Sequence, residues 1–291
     1  MYGAYTMSPI VKIISYFIIA LWLGSSFAAH SQADSLQQAG IGTKDAPLQI
    51  QLVEYDNGGH RYFHELISRS LEHIGVSSVI RTLPQMPQPR LERMLESGAV
   101  TVHWFFPNAE RESRYLKIPV DITGGLAGRR VFFIPSGTQH LFDNIRNLED
   151  FRSRNLVGGF GAGWYDIEVW RQNTLEFRVI PGDPLDIFRM LESGNRGIDY
   201  FSRSVLEIIA EIPRYPGLEI EQHLLFSYPR DFMFFVSANE PLVHEVLSFA
   251  LSSAQEDGIL EEIRSVYLPP VYQILNLDDR VNIQLDLPPE G

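Results

Sequence analysis

The sequence predicts an α/β protein of two lobes, each a mostly parallel sheet flanked by helices, joined by a two-strand hinge. Three observations carry this. Strand-like and helix-like segments alternate β-α-β-α-β between residues 48 and 106, a pattern that builds a sheet covered by helices. The alternation restarts near residue 130. A last apolar strand and a long amphipathic helix then follow residue 231 and return the chain to the first unit.

In the first unit, Leu48 to Val53 alternates apolar and polar residues and reads as a strand. Asp56-Asn57-Gly58-Gly59 is a turn. Phe63, Leu66, Ile67, Leu71 and Ile74 recur at helical spacing, so His60 to Ile74 reads as a helix stopped by Gly75. Val76 to Leu83 is a strand, Pro87 to Gly98 a helix, and Val100 to Phe106 an apolar strand. The second unit runs through strands at 130–134, 156–159, 177–180 and 198–201 and helices at 148–151, 164–174, 184–193 and 204–211. Its glycine-rich stretch, Gly158 to Gly163, is expected to be a loop between strand and helix. Strand 232–237 and helices 242–257 and 259–267 complete the pattern, and the remaining residues read as proline-bounded and extended. The expected boundaries are 46–126 with 232–291 for lobe one and 127–231 for lobe two.

Composition narrows the function. The 291 residues are 45% hydrophobic and 21% charged, ordinary for a soluble globular chain, and allow two domains. A net charge of −12 argues against nucleic acid and anionic membranes as partners, because phosphate binding rests on lysine and arginine. The absence of cysteine excludes a disulfide framework, a cysteine zinc site, a thiol nucleophile and a lipid-modified N-terminal cysteine. Lys12, the apolar run Ile13 to Leu23, and the small residues of Ser26-Phe27-Ala28 and Ser31-Gln32-Ala33 predict a cleaved signal peptide over residues 1–33. An untethered exported protein of this kind points to a Gram-negative periplasm.

Several stretches then carry a resemblance. Glu110-Arg111-Glu112 followed by Ile118-Pro119-Val120 and Gly124 to Arg130 is similar to the first lobe crossing of the extracellular solute-binding proteins of family 3, the polar-amino-acid-binding type. Leu148 to Phe151 with Gly161 to Trp164, Met190 to Gly194 with Gly197 to Phe201, and Ala254 to Gly258 resemble later segments of that family in order and spacing. The resemblance spans residues 46–287. It implies a type II periplasmic-binding fold, closure around a small ligand, no cofactor, and delivery by a monomer to a membrane transporter of the ABC class.

Candidate contacts come from both readings. Ligands of such sheets bind beyond the carboxyl ends of the strands, which singles out Tyr55 and Asp56 after the first strand and Trp104 in the third. Gly161 and Gly163 precede a helix, where free backbone N–H groups attract anions, and Trp164 adjoins them. The resemblance assigns Arg111 to a carboxylate clamp, with Arg114 as the near alternative; a guanidinium fork suits that task. It also places an ammonium-binding acid where this chain has Ser204, preceded by Arg203. That departure makes an anionic or neutral polar ligand at least as fitting as an amino acid. Tyr200 and Arg203 complete the candidates, while Asp199 reads as a structural brace. His60 and His64 have metal-pair spacing without a third ligand. No Gly-x-Ser-x-Gly motif is present, and no residue is assigned a catalytic role. A periplasmic sensor docking on a membrane receptor is the alternative function, and a dehydratase-like enzyme on the same fold is the second.

Overall fold

The computed structural model describes residues 42–289 apart from 184, 195, 196 and 268, so the expected signal segment 1–33 lies outside the described residues. Lobe one begins with β1 (Leu48–Val53), α1 (Arg61–His73), β2 (Ser78–Leu83), α2 (Gln88–Ser97), β3 (Val102–Phe105), α3 (Ala109–Arg114) and β4 (Leu116–Ile118). Lobe two follows with β5 (Arg129–Pro135), α4 (Leu148–Ser153), β6 (Gly158–Gly161), α5 (Asp166–Gln172), β7 (Phe177–Ile180), α6 (Leu185–Glu192), β8 (Tyr200–Ser204), α7 (Val205–Glu211), β9 (Leu218–Ile220) and β10 (Leu224–Ser227). The chain returns through β11 (Met233–Val236), α8 (Pro241–Glu256) and α9 (Ile259–Tyr267), then adds α10 (Pro269–Leu275) and β12 (Val281–Gln284).

The local chemistry explains these elements. α1 turns Tyr62, Phe63, Leu66, Ile67, Ser70 and Leu71 inward as one stripe. Each large apolar side chain in it contributes roughly 1.5–3 kcal/mol on burial. α7 starts in a capping box: Ser204 Oγ accepts from the Leu206 N–H, and the Glu207 carboxylate accepts from the Ser204 N–H.

In lobe one β1 pairs in parallel with β2, and β11 lies antiparallel between β3 and β4. Gln51 and Thr101 bridge the two sheets, each backbone N–H donating to an oxygen of the other residue. Lobe two has one sheet in the order β12-β10-β5-β8-β6-β7, with β9 beside β5. β6 is parallel to β7 and β8, whereas β5 is antiparallel to β8 and β10. The two antiparallel intruders, β5 and β11, are the strands that enter each lobe from the crossings.

Those crossings run side by side. The Ile122 N–H donates to the Phe232 carbonyl, and the Tyr228 N–H to the Gly128 carbonyl. Asp231 latches them, its carboxylate accepting from the N–H groups of Thr123 (3.0 Å) and Gly125 (2.9 Å) and from the Thr123 hydroxyl. The approach at Gly128 is too close for a side chain: a Cβ there would overlap the Tyr228 carbonyl and lie 2.7 Å from that of Arg230.

The C-terminal segment departs from the expected boundary. Lobe one was expected to hold 232–291, yet the residues after α9 pack on lobe two. α10 lies on α7, Val271, Leu275 and Leu277 enter the lobe-two core, and β12 pairs in parallel with β10. Arg280 is buried there, donating to the carbonyls of Glu221, Leu224 and Leu275. Asn173 exchanges two hydrogen bonds with the backbone of Asp286. Burial of Ile283 and Leu285 in that core is the physical reason for the third crossing.

Candidate functional site

A cavity of about 260 Å³ lies between the lobes and is lined from both. Lobe one supplies an aromatic wall. Val102 to Phe105 is buried at every position, which holds the His103 and Trp104 rings at 4.2 Å and 25°. Phe63 of α1 stacks on Trp104 at 4.0 Å and 12°, and Tyr55, just after β1, meets Trp104 edge-on. The Tyr55 hydroxyl lies 3.3 Å from His103 Nε2. Burial, with the nearby His64 and Arg111 adding to it, pushes the His103 pKa down to about 3, so its imidazole is neutral. Burial likewise raises the Tyr55 pKa well above that of an ordinary phenol.

Lobe two supplies a second aromatic wall and a set of buried ions. Trp164 stacks on Phe201 at 5.8 Å, and the Arg203 guanidinium lies over both rings, 5.2 and 5.1 Å from their centroids. Arg203 Nε and Nη2 donate to the two oxygens of Glu211 at 2.8 and 2.6 Å, and Glu207 stands 3.1 Å away. Burial raises the Glu211 pKa while the Arg203 fork opposes the shift. Arg130 pairs with Asp166 at 2.5 Å, and the Tyr228 hydroxyl donates to the same carboxylate.

The protein closes the cleft with its own groups. Arg111 Nη2 donates to Glu92 (3.0 Å) and, across the cleft, to the Gly163 carbonyl (3.2 Å), while Nη1 donates to the Phe106 carbonyl. Gln88 also donates to the Gly163 carbonyl. At the mouth Asn57 donates to Glu211 and Arg214 to the Asp56 carbonyl.

Against the expected site, Tyr55, Trp104, Arg111, Trp164 and Arg203 line the cavity together. The others differ. Arg111 is tied to Glu92 and two carbonyls, so its fork is engaged by the protein rather than held open for a ligand carboxylate. Arg114 pairs with Glu96 and Glu110 on the surface. Asp56 stands at the mouth and takes part through its carbonyl. Tyr200 belongs to the core of lobe two, its hydroxyl accepting from Trp170 Nε1 at 2.6 Å. Gly158 to Gly161 is a strand rather than a loop. Gly161 and Gly163 make no anion-binding turn, because the short α5 begins only at Asp166, with Asp166 and Glu168 in its first turn. The lack of a Cβ at Gly161 instead lets the Trp164 indole fold back to 2.7 Å from where that atom would be. Asp199 is a brace: its carboxylate accepts from the Val157 N–H.

Arg130, Asp166, Glu207, Glu211 and His103 are the site residues that sequence reasoning missed. One local signal points at part of the set: Arg203, Glu207 and Glu211 recur every four residues, the spacing that brings side chains onto one face. His60 and His64 serve the backbone, accepting from the Tyr55 N–H and lying 3.2 Å from the Val53 carbonyl. Among the described residues no group of three or more acidic or histidine side chains is placed to hold a metal ion, and no helix is long and apolar enough to cross a membrane.

No family model matches the sequence, and no curated protein matches it. Solved structures do match by shape. An amino acid ABC transporter substrate-binding protein from Streptococcus pneumoniae bound to L-arginine superposes with a TM-score of 0.56 at 11% identity, covering 83% of this chain and 97% of its own. An ancestral arginine-binding protein bound to arginine gives 0.54 at 16% identity over 76% of this chain and 98% of its own. An ancestral amino-acid-binding protein described as a precursor of cyclohexadienyl dehydratase gives 0.53 at 11% identity over 81% of this chain and 99% of its own. The chain therefore has the two-lobed α/β fold of the substrate-binding proteins of amino acid ABC transporters.

Proposed function

We propose that this protein is an exported solute-binding protein that encloses one small molecule between its lobes and hands it to a membrane transporter of the ABC class. One observation carries the reading: the interlobe cavity, walled by stacked aromatic rings from both lobes and spanned by hydrogen bonds between them. Aromatic walls with a few placed polar groups are what small-molecule sites use. The fold neighbours, which are binding proteins, support the same role. Signal peptide 1–33 and a periplasmic location belong to this reading, as does a monomeric state. Glu207 and Glu211 are the carboxylates an enzyme would use, but both are engaged by Arg203 as ion pairs, which favours binding over catalysis.

A ligand enclosed this way favours the closed form only through its extra affinity for it. The test is a thermal-shift screen of the exported protein against amino acids, amines, organic acids, sugars and peptides. A ligand at one hundred times its dissociation constant adds about 2.7 kcal/mol of stability. A dose-dependent shift that Trp104→Ala abolishes is expected. Absence of any shift at millimolar concentration across the screen would overturn solute binding and leave the receptor-docking role as the reading to pursue.

A further inference from the structure

The charges facing the cavity do not balance. Arg111, Arg130 and Arg203 face Asp166, Asp183, Glu207 and Glu211. Arg111 is already matched by Glu92, which lies outside the lining. Two arginines are left against four carboxylates. Asp166 takes Arg130, Glu211 takes both prongs of Arg203, and Asp183 sits at the exposed rim, accepting from the Leu185 N–H. Glu207 only shares: one oxygen lies 3.1 Å from Arg203, and the other accepts from the Ser204 N–H and lies 3.8 Å from Arg130, both arginines having a closer partner. An incoming carboxylate finds no open fork on Arg203, whose Nε and Nη2 hold Glu211, and none on Arg111. The Nη atoms of Arg111 are spent on Glu92, Phe106 and Gly163. The unpartnered Nε atoms of Arg111 and Arg130 are occluded from the cavity as well as from solvent. Enclosing an anion here would bury an unpaired charge beside a surplus of carboxylates, the costliest arrangement available.

We infer that the cavity takes a cationic amine with a flat apolar or aromatic body and no carboxylate, its ammonium against Glu207 and its body between Phe63 and Trp104 of one lobe and Trp164 of the other. The inference rests on the solute-binding reading and names its ligand class. A primary ammonium adds a positive charge beside Glu207, which shares Arg203 with Glu211, and brings three donors. The volume sets the size: a dry apolar cavity of about 150 Å³ holds one benzene ring, so about 260 Å³ takes a ring with a short side chain.

A matched series decides it by isothermal titration: 2-phenylethylamine, 2-phenylethanol, phenylalanine and 3-phenylpropionate, which share the ring and differ in charge. The amine is expected to bind at least roughly tenfold more tightly than each of the other three, as a charged hydrogen bond of about 1.5–3 kcal/mol implies. Glu207→Gln should cost the amine roughly tenfold or more while leaving the weak binding of the alcohol unchanged. The wild-type series answers the question even if that variant does not fold. Phenylalanine or 3-phenylpropionate binding as tightly as the amine would overturn the inference and leave solute binding standing. Binding confined to a carboxylate-bearing or sugar solute from the wider screen would do the same. No binding by any solute would overturn both.

Discussion

Replacing Arg203 with methionine removes the guanidinium that most strongly opposes the burial-raised pKa of Glu211 inside the protein. The Glu211 side chain is 4% exposed and that of Arg203 10%, so neither charge has water to fall back on. Removing one partner of a buried pair costs about 3–5 kcal/mol, a large share of the roughly 5–15 kcal/mol that holds a typical protein folded. Apolar replacement of both partners is far milder, so Arg203→Met with Glu211→Leu should stand within about 2 kcal/mol of the parent. The pH dependence carries a second signature. Without the guanidinium, burial is opposed only by the Asn57 hydrogen bond and lifts the Glu211 pKa further above its unfolded value. A carboxylate raised in the folded state contributes stability that is present below the unfolded pKa and lost as pH rises through the folded one. The penalty of the single variant is therefore largest at pH 8 and shrinks towards pH 5, by up to about 1.4 kcal/mol per pH unit. Urea denaturation at 25 °C, repeated at each pH, reads both signatures. A single-variant cost under about 1 kcal/mol, a penalty that grows in acid, or strict additivity in the double variant would refute the reasoning.

Three further outcomes follow from the same geometry. His103, pushed down to about 3 by burial, contributes stability that is complete above its unfolded pKa near 6.5 and is lost as pH falls towards 3; His103→Gln should flatten the acid limb of the denaturation midpoint, and an unaltered slope would contradict the assignment. Gly128→Ala drives a methyl into the Tyr228 and Arg230 carbonyls at the crossing and is expected to cost about 3 kcal/mol in thermal denaturation; an unchanged midpoint would show that the crossing has room. Ending the chain after residue 268 strips β12 from Phe226 and removes Arg280, which donates to the backbone of the fully buried Glu221; lobe two should then lose protection from proteolysis, and an intact lobe two would refute the role given to the C-terminal segment.

Legibility in the sequence followed locality. Leu48–Val53, Phe177–Ile180 and Ile259–Tyr267 have the limits their periodicity predicts. The start of the helix at Ser204 was legible because its capping box lies within four residues. Strands β9, β10 and β12 were not legible, being three or four residues long and defined by partners far along the chain. Gly158–Gly161 misled because glycine runs usually mark loops. Here the missing Cβ atoms admit Tyr200, whose ring would lie 2.9 Å from one on Gly158, and Ile187, 3.0 Å from one on Gly159. In the site, the aromatic residues at strand ends were legible from the rule that ligands gather there. The ion network was not, because the pairing of Arg130 with Asp166 and of Arg111 with Glu92 is set by tertiary packing.

The central claim, enclosure of a solute by lobe closure, is tested most directly by a distance measured between the lobes. The chain has no cysteine, so Arg93→Cys on α2 and Arg189→Cys on α6, both at exposed positions, take spin labels at those two places alone. Pulsed electron resonance should report a distance distribution that collapses to its shorter component when the ligand found in the screen is added. A distribution that stays the same at saturating ligand would contradict closure.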